Sequence, residues 1–198
     1  MLIEENKQIE FKNLYEPHIK SLKNTAFRLT RNDMEAQDLL QETLYKAYRS
    51  FSTFEPETNF RAWIFRIMVN SYLTHYRKRV KQPLKVSYDE LEEFTLYQKS
   101  DLDYEATVNQ VERIGGEMFD DEVQSALEKM PYYFRLIVLL YDVEGFSYQE
   151  ISSMVQIPVG TVMSRLNRGR NLLRIKLRRY ASQRGYLVEN KLEPGIVN

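Results

Sequence analysis

Four polar side chains in one short stretch are the best suited to chemistry in this chain: Thr161, Ser164, Arg165 and Arg168. The stretch holds no nucleophile with a base beside it, so the chemistry it offers is recognition. An arginine can donate two hydrogen bonds to the major-groove edge of guanine, and hydroxyls can reach bases or phosphates. On a helix these four would face outward while Val162 and Leu166 anchor the opposite side. Such a helix needs a partner to hold it. Ser147 can cap a preceding helix, with Glu150 three residues on as in a capping box. Ile151 and Val155 would face inward, and Pro158 would stop one helix and help to start the next. The whole reads as a helix-turn-helix. Arg170, Arg174, Lys176, Arg178 and Arg179 continue the second helix and would serve phosphates, a contribution that is large and salt-dependent. A basic surface helix on an ordinary helical domain could carry the same charge. It would not need the cap, the turn and the Pro158 to Val162 sequence together. By itself the motif is shared by repressors, activators and initiation factors.

The elements around it are helical. Gly and Pro number only seven and six in 198 residues, which suits a mostly helical chain. A first block runs from about Ile9 to Val80. Phe11, Leu14, Tyr15, Ile19 and Leu22 recur at helical spacing, continued by Ala26, Phe27 and Leu29. Asn32 and Asp33 can cap the next helix, which carries Leu39, Leu40, Thr43, Leu44 and Ala47 on one face. Ser50 to Asn59, with Pro56, reads as a loop. Phe60 to about Arg79 reads as a third helix with Trp63, Ile64, Ile67, Met68 and Ser71 along its stripe. A second block starts at Asp120, with Val123, Ala126, Leu127 and Met130 at helical spacing. Pro131 ends that helix, and an apolar helix from Tyr133 to Val143 closes at Gly145. The expected fold is all-α: two small helical domains, 8–81 and 120–182, joined by an acidic, flexible linker at 82–119. One short helix is expected in the linker, around Tyr104 to Arg113. The tail, 183–198, reads as disordered.

Charge follows this division. The formal net charge is zero. Yet Arg61 to Lys85 holds seven basic and no acidic residues, and Pro158 to Arg184 holds eight and none. Between them, Val86 to Glu128 holds thirteen acidic residues and two basic ones. Two basic blocks flanking an acidic one suggest two contacts with a polyanion, joined by a segment that avoids it. Fully extended, the linker could span on the order of 120 Å. Two turns of B-DNA need only roughly 70 Å.

Other classes are disfavoured. Cysteine is absent, so a disulfide framework, a thiol nucleophile and a thiolate metal site are excluded. His18 and His75 are far apart, and no phosphate loop, nucleophile elbow or metal spacing is present. No enzyme activity, metal, cofactor or small-molecule substrate is expected. There is no apolar run that could span a bilayer and no signal-peptide pattern at Met1 to Glu16, so a cytoplasmic protein without membrane insertion is expected.

Two further segments decide among the DNA-binding readings. Asp38 to Tyr48, followed by Phe60 to Asn70, resembles region 2 of the extracytoplasmic-function sigma factors, the group IV alternative sigma factors of the sigma-70 family. The second block resembles their region 4, including Leu136 to Leu139 ahead of the helix-turn-helix. The resemblance implies binding to core RNA polymerase, with Asp38, Gln41 and Glu42 facing the β′ coiled coil and region 4 on the β flap. It implies −10 contacts from Arg61, Arg66, Asn70, Tyr76, Arg77, Lys78 and Arg79, where cations would meet backbone and flat side chains unstacked bases. It places a flipped base at the Ser52 to Asn59 loop. It assigns −35 contacts to Gly160, Thr161, Met163, Ser164, Arg165, Asn167 and Arg168. Trp63 reads as core rather than as a stacking platform.

The sequence departs from the family at three positions. Met163 stands where relatives often place Arg, Asn167 where some have an aromatic, and His75 where a carboxylate is common. The resemblance further implies control by an anti-sigma factor, which could hold the protein at the membrane. It also implies that the acidic linker threads the RNA exit path, although a soluble tether would have the same composition. The alternatives are a stand-alone helix-turn-helix transcription regulator and an adaptor that binds polymerase but not promoters.

Overall fold

The computed structural model describes residues 2–81 and 120–186. The linker at 82–119, the short helix expected within it, and the tail beyond Tyr186 lie outside the described residues. All regular elements among the described residues are helical. The first block contains α1 (Leu2–Tyr15), α2 (Ile19–Thr30), α3 (Asp33–Ser50) and α4 (Phe60–Lys81). The second contains α5 (Asp121–Glu128), α6 (Tyr132–Val138), α7 (Tyr148–Val155) and α8 (Val159–Gln183).

Local chemistry accounts for most boundaries. The apolar residues from Phe11 to Leu22 recur at helical spacing, and the structure interrupts them with a 3₁₀ turn at Glu16–His18, where Pro17 supplies no backbone N–H. Arg31 ends α2 in the left-handed region, φ 62°. Asn32 then caps α3 by accepting the Glu35 N–H at 3.0 Å, a contact typically contributing about 1 kcal/mol. The Ser147–Glu150 capping box forms completely: Glu150 accepts the Ser147 N–H at 2.8 Å and the Ser147 hydroxyl accepts the Glu150 N–H at 3.3 Å.

The apolar helix expected over Tyr133 to Val143 is regular only to Val138. From Leu139 to Val143 it widens into a π turn, a form of helix that often marks a functional site. Gly145 follows in the left-handed region, φ 72°.

In the first block, α2, α3 and α4 pack on one another around Leu22, Leu29, Leu39, Ile64 and Met68, all essentially without solvent exposure. In the second, α8 lies against α5, α6 and α7, closing over Leu136, Ile137, Ile151, Val162 and Leu166. No sequence pattern had indicated contact between the blocks, yet they pack together through α4 against α7 and α2 against α5 and α6. Phe65 and Phe146 meet edge to face at 5.0 Å, and the rings of Tyr76 and Tyr132 lie 3.7 Å apart. Phe65, Val69 and Tyr72 are therefore buried on a side of α4 that its predicted stripe did not include.

The α6–α8 crossing is tight at Gly169, where an added Cβ would lie 2.7 Å from Val138 Cγ2. Val138 is buried and β-branched, so its methyl cannot swing aside freely. Gly169→Ala is therefore expected to lower the melting temperature, costing about 1 kcal/mol. The overpacking cost of about 1–3 kcal/mol exceeds the gain in helix propensity, about 1 kcal/mol. Thermal unfolding followed by circular dichroism checks this. Adding Val138→Ala to Gly169→Ala should cost less than the sum of the two single changes.

Candidate nucleic-acid interface

The helix-turn-helix is α7, the turn at Gln156 to Pro158, and the start of α8. Gln156 takes the left-handed conformation, φ 59°. The Ser152 hydroxyl donates to the Ile157 carbonyl at 2.6 Å, tying the turn to the helix before it. Val162 and Leu166 are buried and fix the roll of α8. That roll leaves Gly160, Met163, Ser164, Asn167 and Arg168 exposed, with Thr161 and Arg165 half-buried.

The seven residues share one end of α8, but not all are equally available. Arg165 lies over the Tyr133 ring at 5.5 Å. Ser164 donates back to the Thr161 carbonyl at 3.1 Å, and Asn167 accepts from Asn171 at 3.2 Å. Met163 is half exposed and offers an apolar contact where an arginine was the family expectation.

Arg170 departs from the phosphate-contact expectation. Its guanidinium is engaged on both oxygens of Asp142, with Nε 3.2 Å from Oδ2. The Asp142 hydrogen bond raises the Arg170 pKa further against a smaller opposing effect of burial. The π turn brings Asp142 to this position, so Arg170 braces α8 against the end of α6. Sequence spacing could not reveal this pair, because twenty-eight residues separate its members.

On the first block, Asp38 and Gln41 are exposed on α3. Glu42 is half-buried and already partnered, at 2.5 Å from Lys46 and 2.8 Å from His75 Nε2. Burial pushes its carboxyl up, but the Lys46 hydrogen bond and the His75 and Lys46 charges hold it below its ordinary value. His75, a departure from the family, is thus a bridge between α4 and α3.

Along α4, Arg66, Asn70, Arg77, Lys78 and Arg79 are exposed. Arg79 pairs with Glu35 at 2.6 Å. Tyr76 is covered by Tyr132. Arg61 is covered too: it pairs with Glu144 at 2.6 Å and lies over the Phe146 ring at 4.3 Å. The structure thus leaves five of the seven α4 residues at the surface and uses two in the contact between blocks.

In the loop before α4, Phe54 packs on Phe60 and Trp63, each at 5.2 Å, which makes Trp63 a partly buried member of the core edge. Ser52, Thr53 and residues 55–59 are exposed. Asn59 caps α4 by accepting the Ala62 N–H at 3.1 Å and donates to Glu150 at 3.2 Å.

Two polar residues at the contact between blocks carried no sequence signal. Arg135 is buried, with Nη2 donating to the Leu29 carbonyl at 3.2 Å and to the Tyr72 hydroxyl at 3.4 Å. Burial pushes the Tyr72 phenol up to about 12, so it stays protonated. The second residue is Glu144, which reaches from the π turn into the first block.

These features define a two-module protein with a capped helix-turn-helix and a second basic helix. Comparison with known proteins gives the class a family. Residues 14–82 match Sigma-70 region 2 and residues 120–173 match Sigma-70 region 4. The chain is 34% identical over 173 residues to the ECF RNA polymerase sigma factor SigE of Mycolicibacterium smegmatis, covering 86% of this chain and 62% of that one. It is 32% identical over 155 residues to the ECF RNA polymerase sigma factor EcfG of Rhodopseudomonas palustris, covering 78% of each. Among solved structures, the sigma factor RpoE of Bartonella quintana, in complex with the anti-sigma factor NepR, superposes with a TM-score of 0.63 at 28% identity, covering 85% of this chain and 97% of that one. The chain belongs to the extracytoplasmic-function sigma factors of the sigma-70 family.

If Arg170 braces α8, Arg170→Ala and Asp142→Asn should each cost about 1 kcal/mol of stability, the scale of a partly exposed pair. The double change should cost no more than the larger single one, a coupling that a double-mutant cycle in urea measures.

Proposed function

We propose that this chain binds core RNA polymerase and directs initiation at promoters carrying two elements. In this reading α4 faces the −10 element through Arg66, Asn70, Arg77, Lys78 and Arg79, with Arg61 and Tyr76 joining when the blocks part. The N-terminal half of α8 faces the −35 element through Gly160, Thr161, Met163, Ser164, Arg165, Asn167 and Arg168. Asp38, Gln41 and Glu42 on α3 face the β′ coiled coil, and the second block docks on the β flap. The working units are 8–81 and 120–182, the segment 82–119 being a tether and 183–198 a tail. The reading needs no catalysis, metal or cofactor.

The observation that carries this reading is the order of two independent modules: a region 2 match followed by a capped and anchored helix-turn-helix within a region 4 match. Charge supports it, since α4 and α8 carry the two basic blocks. Among the described residues no helix is long and apolar enough to cross a membrane. That accords with a cytoplasmic protein acting at the nucleoid through the polymerase. The solved Bartonella relative is held by an anti-sigma factor, which supports control of this chain by such a partner, soluble or membrane-held.

Run-off transcription with purified core polymerase on a genomic promoter library tests the reading. With the chain added, discrete start sites sharing two upstream elements are expected. Arg165→Ala and Arg168→Ala should each lower those transcripts about tenfold, the loss of one good base or phosphate contact. Initiation nowhere above background, with the chain alone still shifting specific duplex DNA, would replace this reading with a stand-alone regulator.

A further inference from the structure

Glu144 joins the two blocks by reaching into a cluster of donors, and its surroundings are those of an anion site. Its side chain is only 6% exposed. The Thr25 hydroxyl donates to Oε1 at 2.5 Å, the Ser21 hydroxyl donates to Oε2, and Arg61 Nη2 donates to Oε2 at 2.6 Å. Ser21 and Thr25 stand one turn apart on α2, so both hydroxyls point the same way. Arg28, one further turn along and buried, has its pKa lowered by burial and is partly compensated by the Glu144 charge. The three donors, Ser21, Thr25 and Arg61, and the nearby Arg28 all belong to the first block, and only Glu144 comes from the second. A carboxylate is well served here, because a buried anion needs charge-assisted bonds to offset its desolvation.

We propose that Ser21, Thr25, Arg28 and Arg61 form a phosphodiester-binding pocket on the first block, and that Glu144 occupies it as an internal stand-in that holds the two blocks closed. A phosphodiester presents two acceptor oxygens and one negative charge, as the Glu144 carboxylate does. Arg61 stands in the first turn of α4, the helix that continues into Arg66, Asn70 and the basic run at Arg77 to Arg79. A DNA strand laid along α4 would thus place a phosphate near Arg61, provided α4 faces DNA as proposed above. Carboxylate and phosphate cannot occupy the pocket together. The closed form also keeps α7 against α4, which prevents the two blocks from reaching DNA segments roughly 70 Å apart. Opening and strand binding are therefore one equilibrium: the strand gains the pocket only when Glu144 leaves it.

The cysteine-free chain permits a direct test. Gln37→Cys on α3 and Ser182→Cys on α8, both exposed, take a donor and an acceptor dye. Energy transfer then reports separation of the blocks in the full chain. A short single-stranded oligonucleotide of arbitrary sequence reports occupancy of the pocket. Glu144→Gln keeps the pocket but loses the charge that closes it, so transfer should fall and oligonucleotide affinity should rise about tenfold. Arg61→Gln damages latch and pocket together, so transfer should fall equally while affinity drops below that of the unaltered chain. Glu144→Ala, with no hydrogen bonds of its own to satisfy, should repeat the Glu144→Gln result should that variant fold poorly. Unchanged transfer in both Glu144 variants would overturn the latch. Opening without any gain in affinity over Arg61→Gln would overturn the phosphate pocket. Neither reading requires polymerase, so a failure here is separate from a failure of run-off transcription.

Discussion

Helix α4 carries more apolar surface than one small module can cover, and the rest of the structure follows from how that surface is shared. One side, through Ile64 and Met68, closes the core of the first block. Another side, through Phe65 and Tyr72, meets Phe146 and the buried Arg135 of the second. Burying an aromatic side chain stabilises by about 1.5–3 kcal/mol, so this second side gives the blocks a real tendency to associate. It is also the helix with the basic end that a promoter would need. A single element thus closes one core and carries the interdomain contact, and the proposed function asks the same helix to face nucleic acid as well.

The polar contacts at the junction have a different character from the apolar ones. Arg135 reaches the carbonyl end of α2 at Leu29, where a cation suits the helix dipole. Arg31 donates to the Met130 carbonyl at 3.4 Å from the other direction. Glu144 meets hydroxyls and a guanidinium. Removing one partner of such a contact leaves a desolvated group behind, whereas separating the blocks returns all of them to water. Junctions of this kind are selective about geometry yet can open as a unit.

Much of the fold was legible in the sequence because the signals were local. The Ser147–Glu150 box, the Asn32 cap, the stop at Pro158 and the anchors Val162 and Leu166 each depend on residues within a few positions of one another. The placement of Gly160, Met163, Ser164, Asn167 and Arg168 at the surface of α8 followed from those anchors. What was not legible depends on distant partners. The Arg170–Asp142 brace rests on a π turn that no periodicity announces. The burial of Phe65 and the covering of Tyr76 and Arg61 arise from a second module whose approach is not written in α4. The break at Pro17 is local too, but it lies within apolar residues from Phe11 to Leu22 whose spacing is helical throughout.

In the proposed function the two blocks act on two separate segments of promoter duplex, and they do so together with polymerase. Hydroxyl-radical footprinting on a promoter, with the chain alone, core polymerase alone and both together, tests it most directly. Protection is expected at two upstream patches whose centres lie about two helical turns, roughly 70 Å, apart, and only when chain and polymerase are both present. A single continuous patch of about one turn, protected by the chain alone and unchanged by polymerase, would contradict it.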